Sequence, residues 1–593
     1  MIFPNPYAKE PESYHSKSGL ILHVTKASKL ILILFLINLT IISNTEPTEK
    51  NESNANEKFD NYENKPNLNN NQNSNNSNTN NIYNNNDNNH QQRQEKQEKN
   101  ILVLVFPGGK SHNFVMKELF DFSMKNSKNF KYNYHILVHN WDKDFWTNYQ
   151  QVYKILCFGD IPQFDLIFKS ALDLVRKDPI FGYTKFNRAM IHILDQFMQS
   201  GLLEGALRQT NFDMIMTDIP NFLFKFLRSE LKIKLALHLS PPALPNLFYN
   251  LFEINAATLP ALGTPFTDDL GFFQRLQNNV FILGMKIMFK VFMGEQSQVF
   301  KNYGYSYSDS DVFVYDAMIL IQYPLGFCFS ISKPSNMVFL NYITPKNAKE
   351  LEDKEISAFL DKHEKNIYLS QGTIIKNINF AKILGIFGHF AKQKIGFVLS
   401  IKKEVSDKHI FPENVFLTDW VNQNDLLGDN RIHLFITHSG INSVLEAIYH
   451  EKPVIALGVS MDQVNTAGVV KARETGIVFT SAAQITPQNL IPAIEKTLEE
   501  NNVYLSNTKK YAKILKANEQ ATDVYNYWLE YGFQVGYEHL IVKAYSRYSF
   551  MEINNFDVGL FVLLLTLFVL YLIKRIFACI FCYGINNNKV KLD

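Results

Sequence analysis

A glycine-containing turn after Thr437 is the segment of this chain best suited to bind an anion. The run Leu434–Thr437 predicts a strand, and residues 443–450 predict a helix. A turn at a helix amino terminus exposes free backbone N–H groups and the positive end of the helix dipole, which suit a diphosphate. The side chains of His438 and Asn442 can add hydrogen-bond donors to the same place.

Residues on either side of this turn offer groups for the organic parts of a phosphate-linked ligand. Trp420 can stack on a flat base. Glu446, one helical turn beyond Asn442, can accept hydrogen bonds from ribose hydroxyls. Asp462 and Gln463 follow the next predicted strand and could hydrogen-bond several sugar hydroxyls at once.

In the first half of the chain, a histidine and an aspartate each follow a predicted strand. His112 sits in the turn after the apolar run Ile101–Phe106, and Asp218 follows Phe212–Met216. An imidazole with an ordinary pKa of about 6.5 can take a proton from a hydroxyl near neutral pH. Taken alone, however, such a histidine also fits a solvated or capping role, and an aspartate at a strand exit is most often a helix cap.

The run from Trp420 to Asn465 resembles the donor-binding signature of the UDP-glycosyltransferases, particularly their membrane-bound glucuronosyltransferase-like branch. The family pattern reads W-x-P-Q-N-D-L-L-G, then T-H-x-G-x-N, E-A-I-x-H-G-x-P and D-Q. The residues that match it in register are Trp420, Gln423–Gly428, Thr437, His438, Gly440, Asn442, Glu446–Ile448, His450, Pro453, Asp462 and Gln463. The resemblance extends from about Ile101 to the C-terminal tail, and it is denser in the second half of the chain than in the first.

This resemblance implies a role for each matching position in binding a UDP-sugar. The implied donor-site residues are Trp420 for the uracil, Gln423 for the nucleoside, His438, Gly440, Asn442 and Ser443 for the phosphates, Glu446 for the ribose, and Asp462 and Gln463 for the sugar. Thr373 falls where the family has a serine that faces the diphosphate.

The resemblance also implies a catalytic pair in the first half of the chain. Ser111-His112 matches a Ser-His of the family whose histidine is the general base, and Phe212–Asp218 resembles the pattern F-D-x-x-x-x-D. The second aspartate of that pattern bonds the far nitrogen of the histidine. The implied reaction is a direct displacement with inversion, in which fixed donors stabilise the departing diphosphate, so neither a metal nor a cofactor is expected.

Four departures from the family pattern bear on the donor sugar. They are Asn422 in place of a proline, Glu451 in place of a glycine, Thr466 in place of an asparagine (with Asn465 one step earlier), and Ser400-Ile401, followed by Lys402 and Lys403, where glucuronosyltransferases often carry Trp-Arg. The missing arginine removes a charge contact expected for glucuronate. UDP-glucose is therefore at least as plausible a donor as UDP-glucuronate.

Two series of alternating strands and helices are needed to position these residues. The run Ile101–Phe106, a glycine turn, a helical segment and the run Tyr134–Val138 form the opening βαβ unit of a doubly wound domain. The remaining predicted strands are Phe212–Met216, Lys234–Leu239, Ile367–Leu369, Phe397–Ile401, Phe416–Leu417, Leu434–Thr437, Val454–Leu457 and Ile477–Phe479, with helices beginning near Asn442, Asp462 and Pro487. We expect an α/β protein of two Rossmann-like domains that face each other across a cleft, the GT-B arrangement of the family. The aromatic stretch 260–300 could line an apolar pocket or form ordinary core helices.

The composition is that of a large globular protein with room for two cores. The chain has 593 residues, 46% hydrophobic and 20% charged, and a net charge of +2 that argues against a nucleic-acid-binding protein. Four cysteines exclude a disulfide-stapled scaffold. Cys157 and Cys328 could pair in a lumen, which the sequence leaves open.

Both ends of the chain carry apolar segments typical of a membrane protein. The 13 residues Leu30–Ile42 fit a signal-peptide core or an uncleaved anchor, and an asparagine-rich tract predicts a disordered linker behind it. The run Val558–Ile573 and the second apolar patch Ile576–Ile585, with Lys574 and Arg575 snorkelling between them, are together long enough to span a bilayer with some tilt. Basic residues follow this span and acidic residues precede it, which places the tail in the cytosol and residues 101–550 in a lumen. Lys589 and Lys591 resemble a dilysine signal for return to the endoplasmic reticulum.

The sequence therefore predicts a single-pass type I protein of the endoplasmic reticulum membrane. The predicted segments are a signal or anchor (1–45), a linker (46–100), an acceptor-binding domain (101–330), a UDP-sugar-binding domain with terminal helices (331–548), a transmembrane helix (556–580) and a cytosolic tail (581–593). The predicted activity is inverting transfer of a glucosyl or glucuronosyl group from a UDP-hexose to a hydroxyl of a small apolar or lipid acceptor. The alternative is a non-catalytic UDP-sugar-binding membrane protein or partner subunit. No nucleic-acid partner is expected, and a homo-oligomer is left open.

Overall fold

The structure is a computed structural model that describes most of the chain beyond residue 95. The described residues are 96–150, 152–159, 179–218, 222–240, 259–306, 317–372, 380–458, 461–541, 550–553 and 555–589. The predicted signal or anchor segment, nearly all of the predicted linker, Thr373 and the final residues of the tail lie outside this set.

Thirteen strands in the described residues form two parallel sheets. The strands are β1 Gln97–Leu104, β2 Phe130–His139, β3 Lys154–Phe158, β4 Met214–Asp218, β5 Leu235–Ser240, β6 Met318–Gln322, β7 Met337–Leu340, β8 Lys365–Ser370, β9 Ile395–Ser400, β10 Val415–Thr418, β11 Ile432–Thr437, β12 Val454–Leu457 and β13 Gly476–Phe479. Every strand that the sequence predicts is present. The strands that the prediction missed, β3, β6 and β7, all belong to the first sheet.

Helices connect the strands and cover the sheets. They are α1 Lys110–Asn126, α2 Lys143–Thr147, α3 Pro179–Gln199, α4 Phe222–Glu230, α5 Phe272–Asn302, α6 Lys354–Leu360, α7 Phe380–Ala391, α8 Lys403–Ser406, α9 Gln423–Gly428, α10 Ile441–Tyr449, α11 Met461–Ala472, α12 Pro487–Leu498, α13 Val503–Ala517, α14 Ala521–Val535, α15 Phe550–Ile553 and α16 Phe556–Lys589. Short helical turns lie at Asn140–Asp142, Leu203–Leu207 and Ala482–Gln484.

The first sheet has the strand order β3-β2-β1-β4-β5-β6-β7, and all of its pairs are parallel. Its central strands are continuous apolar runs with both faces covered, as in Ile101–Leu104, because helices pack on each side. The chain crosses to one side after β1 and to the other side after β4. The carboxyl ends of β1 and β4 therefore flank the crevice in which doubly wound sheets bind ligands.

The second sheet repeats this plan with the order β10-β9-β8-β11-β12-β13, again entirely parallel. Its crevice lies between the carboxyl ends of β8 and β11. The expectation of two doubly wound α/β domains is confirmed. We call the parts built on the first and second sheets the first lobe and the second lobe.

Three predicted segment boundaries differ from the structure. β1 begins at Gln97, inside the predicted linker, because residues 97–100 pair with β2. β7 pairs with β6 and so belongs to the first sheet, although it lies beyond the predicted boundary at residue 330. Helix α14, predicted in the second domain, returns to the first lobe, where Tyr525 and Leu529 are buried in the same apolar cluster as the residues of β1 and β2.

The C-terminal helix is the one described helix that is long and apolar enough to cross a membrane. Its apolar span covers the 24 residues Phe556–Cys579 with a mean hydropathy of 2.6, and none of that span is buried in the protein. The helix continues to Lys589, into the segment predicted as a tail. Cys157 and Cys328 are both free thiols, so the pairing that the sequence left open does not occur.

Candidate active site

The predicted catalytic pair meets at the crevice of the first sheet. His112 lies in the first turn of α1, just after β1, and Asp218 is the last residue of β4. Because β1 and β4 are parallel neighbours, their carboxyl ends bring the two side chains together. The Nδ1 atom of His112 lies 3.0 Å from Oδ2 of Asp218. The Asp218 side chain is fully buried, whereas 18% of the His112 side chain stays exposed.

A glycine turn between β1 and α1 lets the imidazole take this place. Gly108 has a φ of +84°, a conformation that side chains other than glycine rarely adopt. A Cβ atom on Gly109 would lie 3.1 Å from Nδ1 of His112 and 3.2 Å from the Phe106 carbonyl oxygen. The turn therefore packs directly against the imidazole, and a side chain at position 109 would require the ring or the turn to shift by a few tenths of an ångström.

Nearby carboxylates raise the pKa of His112. Burial alone would lower the pKa of this imidazole, but the negative charge of Asp218 and its hydrogen bond act in the opposite direction. Asp462 and Asp142 add to that attraction, and the resulting pKa of His112 lies above its ordinary value.

Asp142 is a residue of this site that sequence reasoning missed. It is the last residue of the short helical turn Asn140–Asp142 that follows β2, and it is buried. Its Oδ2 accepts a hydrogen bond of 2.6 Å from the Gly108 N–H. Burial raises the pKa of Asp142 to about 6, although the Gly108 N–H opposes that shift. The available signal was an aspartate soon after a predicted strand, the same signal that pointed to Asp218.

His438 occupies the corresponding crevice of the second sheet. It follows β11, and two glycines enclose its ring. A Cβ on Gly372 would lie 2.5 Å from Cε1 of His438, and a Cβ on Gly440 would lie 2.6 Å from Nε2. Burial lowers the pKa of His438 to about 4, so the ring is neutral at physiological pH. Its buried Nδ1 has no hydrogen-bond partner among the described residues.

The turn after His438 is shaped to present backbone donors. Ser439 has a φ of +69°, which is unusual for a residue with a side chain, and its buried Oγ has no partner within the described part of the chain. Helix α10 begins immediately after Gly440. The free N–H groups of its first turn and the positive end of its dipole suit an anion.

Asn442 lies at this turn, as predicted, but its side chain also has a partner in the other lobe. Its Oδ1 accepts a 2.9 Å hydrogen bond from Nε2 of Gln322, which is the last residue of β6 in the first sheet. Sequence reasoning missed this contact, since β6 itself was not predicted.

Gln423, Ser443 and Glu446 form one hydrogen-bonded group behind the turn. Nε2 of Gln423 donates to Oγ of Ser443 over 3.1 Å and to Oε2 of Glu446 over 2.6 Å. The Tyr368 hydroxyl donates a 3.3 Å hydrogen bond to Oε1 of Gln423. Burial raises the pKa of Glu446, and the hydrogen bond from Gln423 partly offsets this effect. The predicted nucleoside and ribose contacts therefore lie together.

Trp420, Asp462 and Gln463 are further predicted donor residues that the structure describes. The Trp420 side chain is 75% exposed, so a face of its indole is open to a planar ligand. Asp462 and Gln463 lie in the first turn of α11, and the buried Oε1 of Gln463 has no partner among the described residues. Burial raises the pKa of Asp462, while the charge of His112 opposes that shift, so these two groups interact across the lobes.

Asn465 forms hydrogen bonds between the two lobes. It lies one position before Thr466, where the family has an asparagine. Its Oδ1 accepts from the Gly263 N–H over 2.7 Å, and its Nδ2 donates to the Ala261 carbonyl over 2.9 Å. The side chain is therefore occupied by the loop that precedes α5. Thr466 bonds the Asp462 carbonyl within its own helix.

An apolar cavity of about 430 Å³, including the space at its mouth, lies beside the first-lobe turn. Its lining is formed by Leu104, Val105, Phe106, Pro107, Leu137, Phe158, Met190, Ile193, Leu194 and Leu223. None of these residues comes from the aromatic stretch 260–300, which the sequence suggested as a pocket lining. The cavity adjoins Pro107 and Phe106, the residues that lead into the His112 turn.

Comparisons with known proteins identify the family of the chain. The model of the family described as "UDP-glucoronosyl and UDP-glucosyl transferase" matches residues 102–591. UDP-glycosyltransferase UGT4 of Dactylopius coccus is 24% identical over 421 residues, which cover 68% of this chain and 82% of that protein. Human UDP-glucuronosyltransferase 2B7 is 23% identical over 468 residues, which cover 75% of this chain and 79% of the relative.

Solved structures share the fold. Os79 from O. sativa, in complex with U2F and trichothecene, aligns with a TM-score of 0.52 at 14% identity, over 73% of this chain and 100% of the other. A UDP-glucose:anthocyanidin 3-O-glucosyltransferase in complex with UDP aligns with a TM-score of 0.50 at 14% identity. The alignment covers 73% of this chain and 98% of the glucosyltransferase chain. At this identity the likeness shows the fold alone.

Proposed function

The chain belongs to the UDP-glucoronosyl and UDP-glucosyl transferase family and is a UDP-glycosyltransferase, and from this premise we propose its reaction. It transfers a glucosyl or glucuronosyl group, with inversion, from a UDP-hexose to a hydroxyl of a small apolar or lipid acceptor. The observation that carries the proposal is the 3.0 Å contact between Nδ1 of His112 and the buried carboxylate of Asp218.

This contact fixes which nitrogen of His112 can act as a base. A carboxylate can only accept a hydrogen bond, so Nδ1 carries the proton that it donates to Asp218. The lone pair of Nε2 is then free to receive the proton of an acceptor hydroxyl. When the ring becomes positively charged, the negative charge of Asp218 stabilises it.

The bond changes follow from this proton transfer. The acceptor oxygen forms a bond to the anomeric carbon as its proton passes to Nε2 of His112. The bond between that carbon and the diphosphate oxygen breaks, and UDP leaves with the electron pair. The neutral ring of His438 and the free backbone N–H groups in the first turn of α10 would stabilise the negative charge that develops on the diphosphate.

The lining of the first-lobe cavity supports an apolar acceptor. All of its side chains are apolar, so a polar acceptor would lose hydrogen bonds to water there and find no side-chain partner except the weakly accepting sulfur of Met190. On the donor side, Ile401 stands where an arginine is often found in glucuronosyltransferases, and its side chain is buried. This supports glucose at least as well as glucuronate.

We further propose that the protein is held in the endoplasmic reticulum membrane by α16, with the catalytic lobes in the lumen. The apolar span Phe556–Cys579 supports membrane attachment. The basic residues Lys574 and Arg575 within this helix support a cytosolic orientation of its end. No metal is required by the proposed mechanism.

A donor screen on membranes containing the full chain tests the proposal. UDP-glucose, UDP-glucuronate, UDP-galactose and UDP-N-acetylglucosamine are each incubated with a panel of apolar hydroxyl compounds, with and without EDTA, and UDP release is measured. We expect acceptor-dependent release from UDP-glucose or UDP-glucuronate that EDTA does not abolish. Binding of UDP-sugars with no acceptor-dependent release from any donor would instead indicate a non-catalytic binding protein.

A further inference from the structure

Asp142 lies close to the base without being part of the His112–Asp218 pair. β2 is the neighbour of β1 on the side away from β4, and its residues Ile136 and Leu137 pair with Val103 and Leu104. The carboxyl end of β2 therefore emerges beside the glycine turn. Asp142 follows in the short helical turn, with only 2% of the residue exposed.

The hydrogen bond from Gly108 connects Asp142 to the position of the imidazole. Oδ2 of Asp142 accepts from the Gly108 N–H over 2.6 Å. The next residue, Gly109, donates its N–H to the Phe106 carbonyl over 3.2 Å and packs against the His112 ring. A displacement of this turn would therefore displace the imidazole relative to Asp218.

The second oxygen of Asp142 leaves its negative charge largely uncompensated. Oδ1 is buried and has no hydrogen-bond partner among the described residues. The charged groups that act on the Asp142 carboxylate are Lys110 and His112, which favour its charge, and Asp218, which opposes it. Those that act on His112 are Asp218 first, then Asp462 and Asp142.

We propose that Asp142 is a positioning residue of the transfer reaction, which holds the Gly108–Gly109 turn against His112 and adds a negative charge beside the imidazole. This inference rests on the proposed function, because it takes His112 as the base. Asp142 acts through the turn and through its charge, whereas Asp218 bonds the imidazole itself.

Two substitutions separate these contributions. In Asp142→Asn the side-chain oxygen can still accept from the Gly108 N–H, but the negative charge is removed. Asp142→Ala removes both the charge and the hydrogen bond. Asp144→Asn is the matched control, because Asp144 is an exposed aspartate on α2, two residues along the chain, with no side-chain contact to the turn.

The expected results differ between the variants. For Asp142→Ala we expect kcat to fall on the order of tenfold with little change in KM for the UDP-sugar, because the base is displaced and the donor site is not. For Asp142→Asn we expect a smaller loss of kcat at the pH optimum than for Asp142→Ala, because the hydrogen bond from the Gly108 N–H is kept. The acid limb of its kcat/KM profile should move to lower pH, because His112 loses its proton more easily without this negative charge. Asp144→Asn should change neither.

A second measurement follows His112 without turnover. Diethyl pyrocarbonate modifies unprotonated imidazoles, and mass spectrometry of the peptide that contains His112 gives its rate of modification as a function of pH. The midpoint should lie at lower pH in Asp142→Asn than in the wild type and in Asp144→Asn. A purely structural role for Asp142 would not move this midpoint in a folded variant.

The outcomes separate this inference from the proposed function. An Asp142→Asn variant with wild-type midpoints in both measurements, or an Asp142→Ala variant with wild-type kcat, would overturn the role of Asp142. If the wild type releases no UDP with any donor, the proposed function fails, and the modification midpoint alone decides whether Asp142 acts on His112.

Discussion

The two lobes each place a histidine at the crevice of a doubly wound sheet, yet the two histidines are in opposite electrostatic states. The pKa of His112 is raised, because three carboxylates outweigh the cost of burying its charged form. The pKa of His438 is lowered to about 4, because burial acts on it without a compensating charge. The same topology therefore supplies one imidazole that can exchange a proton near neutral pH and one that stays neutral.

This difference shows that the neighbours, and not the fold position, determine what each histidine can do. An imidazole that must gain a positive charge during a reaction needs a negative group beside it, and Asp218 provides that group. A neutral imidazole can donate a hydrogen bond to a diphosphate at any physiological pH. The buried Nδ1 of His438 and Oγ of Ser439, which have no hydrogen-bond partner within the part of the chain that the structure describes, are available to such a ligand.

The largest effect should come from removing the base in the first lobe. We expect His112→Ala to lower kcat by about 10²- to 10⁴-fold, the range typical of general-base catalysis, while the affinity for a UDP-sugar stays within a few-fold of that of the wild type. Turnover is measured by UDP release and affinity by calorimetry without acceptor. His389→Ala is the control, since His389 lies on the surface of α7, 42% exposed. A His112→Ala variant that keeps more than a tenth of the wild-type kcat would show that the two histidines do not differ as described.

The element pattern of both sheets could be predicted from the sequence because the buried strands are short apolar runs. The strand Ile101–Leu104 and the strands of the second sheet have this form. β6, with the sequence MILIQ, has it too, but it lies next to a segment that was interpreted as a connection between domains. β3 and β7 are five and four residues long, no shorter than the predicted strands β12 and β13, so their length does not explain why the sequence missed them.

Some site residues could be identified from a sequence motif, whereas others are recognised only from contacts in the folded protein. His438, Gln423 and Glu446 belong to a signature with fixed spacing, and the structure places them in one region. Asp142 accepts from Gly108 because the parallel pairing of β1 and β2 brings together the turns that follow these two strands. Gln322 donates to Asn442 because the two lobes pack against each other. Neither contact follows from local spacing in the sequence.

A smaller effect, and one of a different kind, should follow from removing the histidine of the second lobe. We expect His438→Ala to weaken the affinity for a UDP-sugar by about 10- to 100-fold, since a hydrogen bond to a charged group contributes about 1.5–3 kcal/mol. Because the base is untouched, kcat at saturating donor should fall much less than in His112→Ala. Calorimetric titration with UDP-glucose or the active donor measures the first quantity, and steady-state kinetics the second. Equal losses of kcat in both variants would remove the contrast between the lobes.

The smallest effect should appear in the pH dependence, and it compares the two histidines without a mutation. His112 must be unprotonated to accept the hydroxyl proton, so kcat/KM should fall about tenfold per pH unit below its pKa. Because that pKa is raised, the fall should begin at a higher pH than for an ordinary histidine. The charge of His438 does not change between pH 5 and 8, because its pKa is about 4, so the dissociation constant of the UDP-sugar should stay nearly constant over that range. If the donor affinity followed the same pH profile as kcat/KM, the protonation of His112 would control donor binding. Proton transfer would then not belong to the first lobe alone, nor donor binding to the second lobe alone.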